Sequence, residues 1–387
     1  MKYIRDTLYG FIKLDGRFID LMDTPEFQRL RRVTQLGFTP IVYPTATHTR
    51  FEHSLGVFHL ACEMRKKFDT GDDFLAAALL HDLGHVPFSH AAEWIMKSAI
   101  GKNHVDITVE RIKSMEGVLE RNGFDVKKVC ELIRGKGKYG QLLSGDIDID
   151  RMDYLVRDSY YTGVAYGVIN PDSVIRRLRF RGNVLGVNLS DIHVVESLLV
   201  ARSWMMPAVY LHKTTRIANS MFSRGLIELM EHLDMEEFSE GDEHDAVRIF
   251  RDSCGLPSEL WKRIENRNLY KEGLRLTRKD FSSREIGKVI KLRADPLRFR
   301  DIENRIAEEL GLNEGEVLLN IPEKPVFMES NLMVLDENKK LEKISKIVSG
   351  IVESEWNYWY VGVYSRKERR KLIGRNRERI KELILHG

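Results

Sequence analysis

Cysteine is what this 387-residue sequence is shortest of: Cys62, Cys130 and Cys254 stand far apart, with no CxxC spacing among them. That argues against a disulfide framework or a cysteine-rich zinc site and suits a reducing compartment. No apolar run approaches the ~20 residues that a membrane span requires, so no membrane partner is expected. The opening MKYIRDTLYG has no apolar stretch of the kind a secretory signal carries, and a cytoplasmic location is the expectation. A glycine-rich phosphate loop is missing too, which argues against kinase or ATPase chemistry of that type. Neither an internal repeat nor a low-complexity segment is visible.

What is present is a chain long enough for one large domain with one or two smaller ones. Hydrophobic residues make up 43% and charged residues 31%, the balance of a globular protein with many ion pairs. The net charge of +3 is unevenly spread. From Arg366 to Lys381 nine basic side chains face only Glu368 and Glu378, a local +7 that leaves −4 for the remainder. Such a tail is either a solvated helix face or a contact for nucleic acid, anionic nucleotides or an acidic partner.

Patterning predicts mostly helix. TLYGFIKLDGRFIDLMD alternates around Asp15-Gly16 and reads as a short hairpin or loop leading into a helix. Thr24-Pro25 is a helix-start signal, and EFQRLRRVTQLG runs on to a stop at Gly37. FTPIVYPTATHT, with two prolines, suits a loop across the surface of a site. Helices are then expected at Phe51–Phe68, Asp73–Leu83, Ser89–Ser98, Asn103–Arg121, Val126–Ile133, Ile149–Tyr160 and Asp191–His232. A hairpin turning at Gly182-Asn183 interrupts them. Near residue 262 the character changes: PEKPVFMESNLMVLD and WNYWYVGVYS read as strands, between helices such as Arg300–Leu310 and Leu341–Val352. The expected fold is mainly α, a helical body over 1–261 with a short β-hairpin insertion. A smaller α/β region over 262–365 and a basic C-terminal helix over 366–387 complete it.

The chemistry concentrates in AALLHDLGHVPFSHAAEW, where a core-like helix delivers His81 and Asp82, with His85 and His90 close behind. RFEHSLGV adds His53 near a helix start, and SGDIDIDRMDYLVRD offers Asp146, Asp148, Asp150 and Asp153. Two imidazoles with two carboxylates suit a hard-to-borderline divalent ion that keeps open positions for water. Water at such a site loses its proton readily and supplies a nucleophile at neutral pH. His81-Asp-Leu-Gly-His85 superficially copies the HExxH zinc helix. Gly84 and Pro87, however, should end the helix near Leu83, so the two histidines need not share a face.

RFEHSLGV, HDLGHVPFSH and DIDRMDYLVRD together resemble the HD-domain phosphohydrolases. The similar branch is that of the deoxynucleoside triphosphate triphosphohydrolases, which includes the dGTPases and the SAM-and-HD-domain dNTPases. The similarity runs from about Asp6 to Lys213 and implies a helical HD-domain core. It implies a divalent metal (Mn, Mg, Fe, Co, Ni or Zn) held by His53, His81, Asp82 and Asp150, with Asp146 and Asp148 serving as helix-start charges. His85 and His90 match positions facing the α-phosphate or the attacking water. Glu93, one helical turn after His90, would orient that imidazole. His104 matches an acid or phosphate contact, but the family's following Glu is Val105 here, leaving Asp106 or Glu110 to compensate.

The same resemblance implies a nucleotide pocket. Gln35 and Leu36 would lie against the sugar, Arg50, Arg151 and Arg202 would meet phosphates, and Tyr154, Asp158 and Tyr210 would surround the sugar and base. Asp23, Gln28 and Arg31 match a segment that binds an activating guanine nucleotide between subunits, which implies a homo-oligomer, dimer or tetramer. The expected activity is hydrolysis of a dNTP to deoxynucleoside and inorganic triphosphate. One alternative is an HD phosphohydrolase acting on a nucleoside monophosphate, a cyclic dinucleotide or nucleic acid ends. Another is a nucleotide-sensing or nucleic-acid-binding protein that uses the basic tail.

Overall fold

The computed structural model describes residues 1–324 and 331–386. A hairpin of β1 (Lys2–Asp6) and β2 (Gly10–Leu14) opens the chain. Its turn lies at Thr7–Tyr9, not at Asp15-Gly16, because the Asp6 carboxylate accepts from Leu8 N and Tyr9 N and closes the turn there. Asp15 instead caps the helix Gly16–Met22 through the backbone N–H groups of Arg17 and Phe18. Thr24 and Pro25 start a helix as expected, but it ends at Arg29 and passes into a single 3-10 turn, Leu30–Arg32. Thr34 then bridges to Thr49, which pulls the chain out of helical geometry before Gly37.

The body is mainly α. Asp72–Leu80 is its centre: every residue from Phe74 to Leu80 is buried, as befits a helix apolar on all sides. Arg50–Lys67 packs beside it, its first turn fixed by reciprocal capping between Thr49 and Glu52. Ile149–Thr162, capped by Asp148, crosses Arg50–Lys67. Gly56 makes that crossing possible, since a Cβ there would sit 1.9 Å from Asp153 Oδ1. Two expected long helices are broken. Asn103–Arg121 divides at Met115 into His104–Ser114 and Glu116–Arg121. Asp191–His232 becomes Ile192–Met205 and Lys213–Leu229, joined by a π turn at Met206–Tyr210, because Pro207 cannot donate to the helical ladder.

The hairpin at Gly182-Asn183 forms as β3 (Arg179–Arg181) and β4 (Val184–Val187), with Gly182 at φ +61°. Later chain extends this sheet. With β5 (Lys271–Thr277) and β6 (Val317–Asn320) counted first, β7 (Met333–Val334) pairs parallel to β4, and β8 (Lys339–Lys340) pairs antiparallel to β7. Of the strand expected over PEKPVFMESNLMVLD, residues 325–330 lie outside the described residues. A second sheet has the order β5-β9-β6, with β9 at Tyr360–Ser365 in the middle. Neither β5 nor β6 was legible in the sequence. The basic end forms two helices, Arg370–Arg375 and Arg377–His386, not one. Several of its cations are held internally: Arg366 by Glu259, Arg369 by Glu316, Arg377 by Asp280 and Arg379 by Glu309. Among the described residues no single helix is long and apolar enough to cross a membrane.

The helix carrying the HD pair stops at Leu80, three residues before Leu83, with His81 as its C-cap. The chain must then pass under His104–Ser114, and Gly84 is where they touch: its N–H donates to Thr108 Oγ1 at 2.8 Å, and an added Cβ would lie 2.0 Å from His104 O. Gly84→Ala is therefore expected to cost about 1–3 kcal/mol of folding stability, measured by urea denaturation against the parent.

Candidate active site

His53, His81 and Asp82 each direct a ligand-type atom into one space, all within 4.8 Å of one another. Asp150 joins them: its Oδ1 lies 2.9 Å from His53 Nε2 and 3.7 Å from His81 Nε2. The tautomers follow from the partners behind the rings. His81 Nδ1 lies 3.0 Å from the Ala78 carbonyl, which can only accept, so the proton is on Nδ1 and the Nε2 lone pair faces the cluster. That buried Nε2 has no hydrogen-bond partner. His53 donates Nδ1–H to Asp153 Oδ2 at 2.8 Å, which likewise turns Nε2 inward. A carboxylate behind one imidazole and a carbonyl behind the other is the support that metal-binding histidines use. An orphaned buried nitrogen beside two carboxylates fits a divalent cation, and the four expected ligand residues are the ones that could hold it.

Behind His53 stands a buried charge ladder. Arg157 donates from Nε and Nη2 to the two oxygens of Asp153, at 2.9 and 3.0 Å, and from Nη1 to Asp6 Oδ2 at 2.9 Å. None of the Arg157 side chain is accessible. Burial opposes the charged form of Asp153, yet Arg157 and His53 hold its carboxyl down at about 2. Asp153, Arg157 and Asp6 were not assigned roles from sequence, although Asp153 stood among the four acids of its motif.

The turn after His81 sends its histidines in different directions. His85 Nε2 lies 3.2 Å from Asp82 Oδ1, and its ring stacks on His104 with centroids 4.4 Å apart. Ser89 Oγ gives its one proton to Val86 O, so it accepts from His85 Nδ1–H, and the His85 Nε2 lone pair faces the cavity. Burial, and then the nearby Arg50 charge, lowers the His85 pKa to about 3, so the ring is neutral. Phe88 is a non-glycine residue at φ +49°, and its ring stacks on Phe38 at 4.4 Å and packs on Phe222 and Trp261. That aromatic packing holds the left-handed turn which starts Ser89–Ile100 and aims His90 elsewhere.

The expected partnership of Glu93 with His90 does not form. His90 Nε2 donates to the Gln35 carbonyl at 3.2 Å, whereas Glu93 Oε1 accepts from His104 Nδ1 at 2.5 Å. The reason is packing between helices: the Asn103 cap starts His104–Ser114 with its first side chain turned toward Ser89–Ile100. Neither Asp106 nor Glu110 compensates for Val105, since Asp106 closes the Asn103 capping box and Glu110 pairs with Lys102 at 3.0 Å. Burial alone would raise the Glu93 carboxyl, but the bond from His104 overrides it and holds it at about 2. Burial likewise opposes the His104 charge, and Glu93 outweighs it and raises the His104 pKa.

The remaining expected residues have the following partners. Asp158 is gripped from both sides, by Tyr210 Oη at 2.8 Å and His48 Nε2 at 2.8 Å. His48, stacked on Tyr161, was missed; its signal was its place two residues before Arg50 in the RFEHSLGV segment. Tyr154 meets Tyr210 edge-on at 6.1 Å, and burial pushes its phenol up to about 12. Gln35 is buried with Oε1 unpaired, next to buried Leu36. Arg50 Nη1 pairs with Asp82 Oδ2 at 2.7 Å. Arg151 turns back on its own loop, to Gly145 O, Asp146 O and Asp148 Oδ2, and Arg202 pairs with Glu355 at 3.7 Å. Asp148 caps the helix through Arg151 N, as a helix-start charge should. Elsewhere on the surface, Gln28 accepts from Arg31 Nε, the Arg31 guanidinium covers the Phe51 ring at 3.6 Å, and Asp23 pairs with Lys2. The Asp150, Glu93 and His104 side chains are 38%, 37% and 36% accessible, whereas those of His53, His81 and Asp82 are 1%, 9% and 7%.

Residues 50–158 match the HD domain, and residues 169–385 match the HD associated region. The chain belongs to the HD-domain phosphohydrolase superfamily, whose HD domains bind divalent metals. Among its relatives, an uncharacterized protein of Methanocaldococcus jannaschii is 35% identical over 99% of this chain and 84% of its own length. A deoxynucleoside triphosphate triphosphohydrolase SAMHD1 homolog of Dictyostelium discoideum is 29% identical over 70% of this chain, and the match spans 59% of that relative. A phosphohydrolase structure from Bacteroides thetaiotaomicron superposes with a TM-score of 0.74 at 26% identity, covering 95% of this chain and all of that one.

Arg157→Met leaves two buried carboxylates without a countercharge and is expected to cost about 3–5 kcal/mol in urea denaturation. The milder Asp153→Asn should fold and weaken divalent-metal binding by about 10–100-fold in calorimetric titration. In Glu93→Gln, His104 loses the carboxylate that raises its pKa. Its imidazole resonances in an NMR pH titration should then move to lower pH than in the parent.

Proposed function

We propose that this protein is a metal-dependent dNTP triphosphohydrolase, which hydrolyses a deoxynucleoside triphosphate to the deoxynucleoside and inorganic triphosphate. The observation that carries this reading is that the His-His-Asp-Asp cluster adjoins His85, whose Nε2 lies 3.2 Å from Asp82 Oδ1 and whose ring stacks on the carboxylate-backed His104. Asp158 is a doubly held acceptor. A divalent ion held by His53, His81, Asp82 and Asp150 would supply Lewis-acid polarisation of phosphate oxygens and a more acidic water.

The protein's own groups have separable tasks. His85, neutral and with Nε2 free of a proton, accepts from the water that attacks the α-phosphorus. His104, bonded through Nδ1 to Glu93, whose charge raises its pKa, donates to the departing oxygen, and His90 stays bonded to Gln35 O. Asp158 accepts from a sugar hydroxyl while Tyr210 and His48 fix its oxygens, and Gln35 Oε1 offers a second acceptor. Arg50, Arg151 and Arg202 would stabilise charge on the phosphates, each on leaving the carboxylate it pairs with, Asp82, Asp148 and Glu355. Asp23, Gln28 and Arg31 would read an activating nucleotide at a subunit boundary of a homo-oligomer.

The test is a screen of the four dNTPs against Mn, Mg, Fe, Co, Ni and Zn, with and without GTP, reading released triphosphate by ion chromatography. Triphosphate from a dNTP is expected. Orthophosphate from a nucleoside monophosphate, with no triphosphate, would move the substrate to another phosphoester. Asp82→Ala should retain its circular-dichroism spectrum and lose both metal loading and turnover; parent-rate turnover in that variant would sink the metal centre.

A further inference from the structure

Arg29 lies on the short helix Pro25–Arg29, between the half-buried Gln28 and the exposed Arg31, yet it is only 6% accessible. Its partners are all backbone carbonyls. Nη2 donates to Leu83 O and to His85 O, each at 2.7 Å, and Nη1 donates to Gly241 O at 2.7 Å. Among the described residues no carboxylate pairs with it directly. Burial therefore lowers its pKa to about 9, and Arg111 adds to that, against the counteracting charges of Glu240 and Asp242.

The choice of carbonyls has a physical cause. Asp72–Leu80 ends just before the metal-binding pair, so the acceptors that follow have no helical donor. Leu83 O and His85 O are two of these, in a turn with no sheet partner. Gly241 O stands likewise just past the helix Met235–Glu240. One planar guanidinium reaches all three at once, because its fork sets Nη1 and Nη2 apart. The two carbonyls it holds flank Gly84 and lie one and three residues beyond Asp82, so their orientation sets the direction of the turn between Asp82 and His85. The other side of the turn is fixed by Thr108, which binds Gly84 N and His81 O.

We infer that Arg29 is a positioning residue for the metal-binding turn: by clamping the Leu83 and His85 carbonyls it fixes where Asp82 and His85 face the cavity. It touches neither metal nor substrate. This rests on the assignment of His81 and Asp82 as metal ligands, and goes beyond the proposed substrate, since it holds for any reaction at this centre.

The test compares Arg29→Met with Arg216→Met, a control in an equally buried arginine that bonds Asn320 and the Tyr360 carbonyl, in the C-terminal part of the chain. Both variants are expected to lower the denaturation midpoint. Only Arg29→Met should speed amide hydrogen exchange across residues 82–86 of the metal-free protein. Only Arg29→Met should weaken Mn2+ binding, by about 10-fold or more in calorimetric titration, as loss of an outer support does. Equal exchange and equal Mn2+ affinity in Arg29→Met and the parent would overturn the inference. If Arg29→Met does not fold, Arg29→Lys decides: an ammonium keeps the charge but sits where the guanidinium carbon stands, short of both Nη positions, and cannot hold the Gly241 carbonyl together with the Leu83 and His85 carbonyls, so intermediate Mn2+ affinity supports the role and parent affinity refutes it. A parent protein that binds no Mn2+ would count against the metal assignment, while the exchange comparison would still decide the role of Arg29.

Discussion

Everything at the centre depends on how His53 is held. Its ring must present one nitrogen inward, and that orientation comes from Asp153, which is fixed by Arg157, which is fixed in turn by Asp6. Four charged or ionisable groups sit in a row without solvent, an arrangement that is stable only while every member is paired. The ladder also explains features that look unrelated. Gly56 is bare so that Asp153 can approach the Arg50–Lys67 helix, and the β1–β2 hairpin is pinned to the body through the same Asp6 that closes its turn. The amino-terminal hairpin is thus part of the support of a site whose nearest ligand lies 47 residues further along the chain.

The second constraint is the unwinding of the chain after Leu80. A continuing helix would have set His81 and His85 on one face, the zinc-protease arrangement. Instead, the helix stops, Gly84 slips beneath His104–Ser114, and Phe88 turns left-handed within an aromatic cluster. The consequence is chemical: His81 and Asp82 join the cluster that could hold a cation, His85 presents a lone pair beside it, and His90 is turned to Gln35. The carbonyls exposed by the unwinding need donors, and Arg29 and Thr108 supply them from opposite sides. Backbone irregularity at a functional turn is affordable here only because two flanking segments satisfy it.

Much of this was legible in the residues. Apolar periodicity located the principal helices, and Gly182-Asn183 marked a true hairpin turn, because both signals are local. His53, His81, Asp82 and Asp150 were recognisable because they sit inside three dense motifs, and the structure brings them within reach of one another. Helix ends were harder to see: Leu80 against Leu83, the break at Met115, and the division at Pro207 depend on what packs against the chain. The strand β6 is four residues long and mostly buried, so it lacks the alternation that an exposed face imposes, and β5 alternates only over Leu274–Thr277, after the polar start Lys271-Glu272-Gly273.

The sequence by itself determined the mainly helical class, the residue types of the metal centre and the order in which they come. Local spacing suffices for these, since capping, helical period and motif composition act over a few residues. Only the tertiary structure decided which groups meet. Glu93 serves His104 rather than His90, Asp158 is shared by His48 and Tyr210, and Arg157 reaches Asp6 across 151 positions of chain. Such pairings depend on the directions in which side chains leave packed helices, and those directions exist only once the helices have docked.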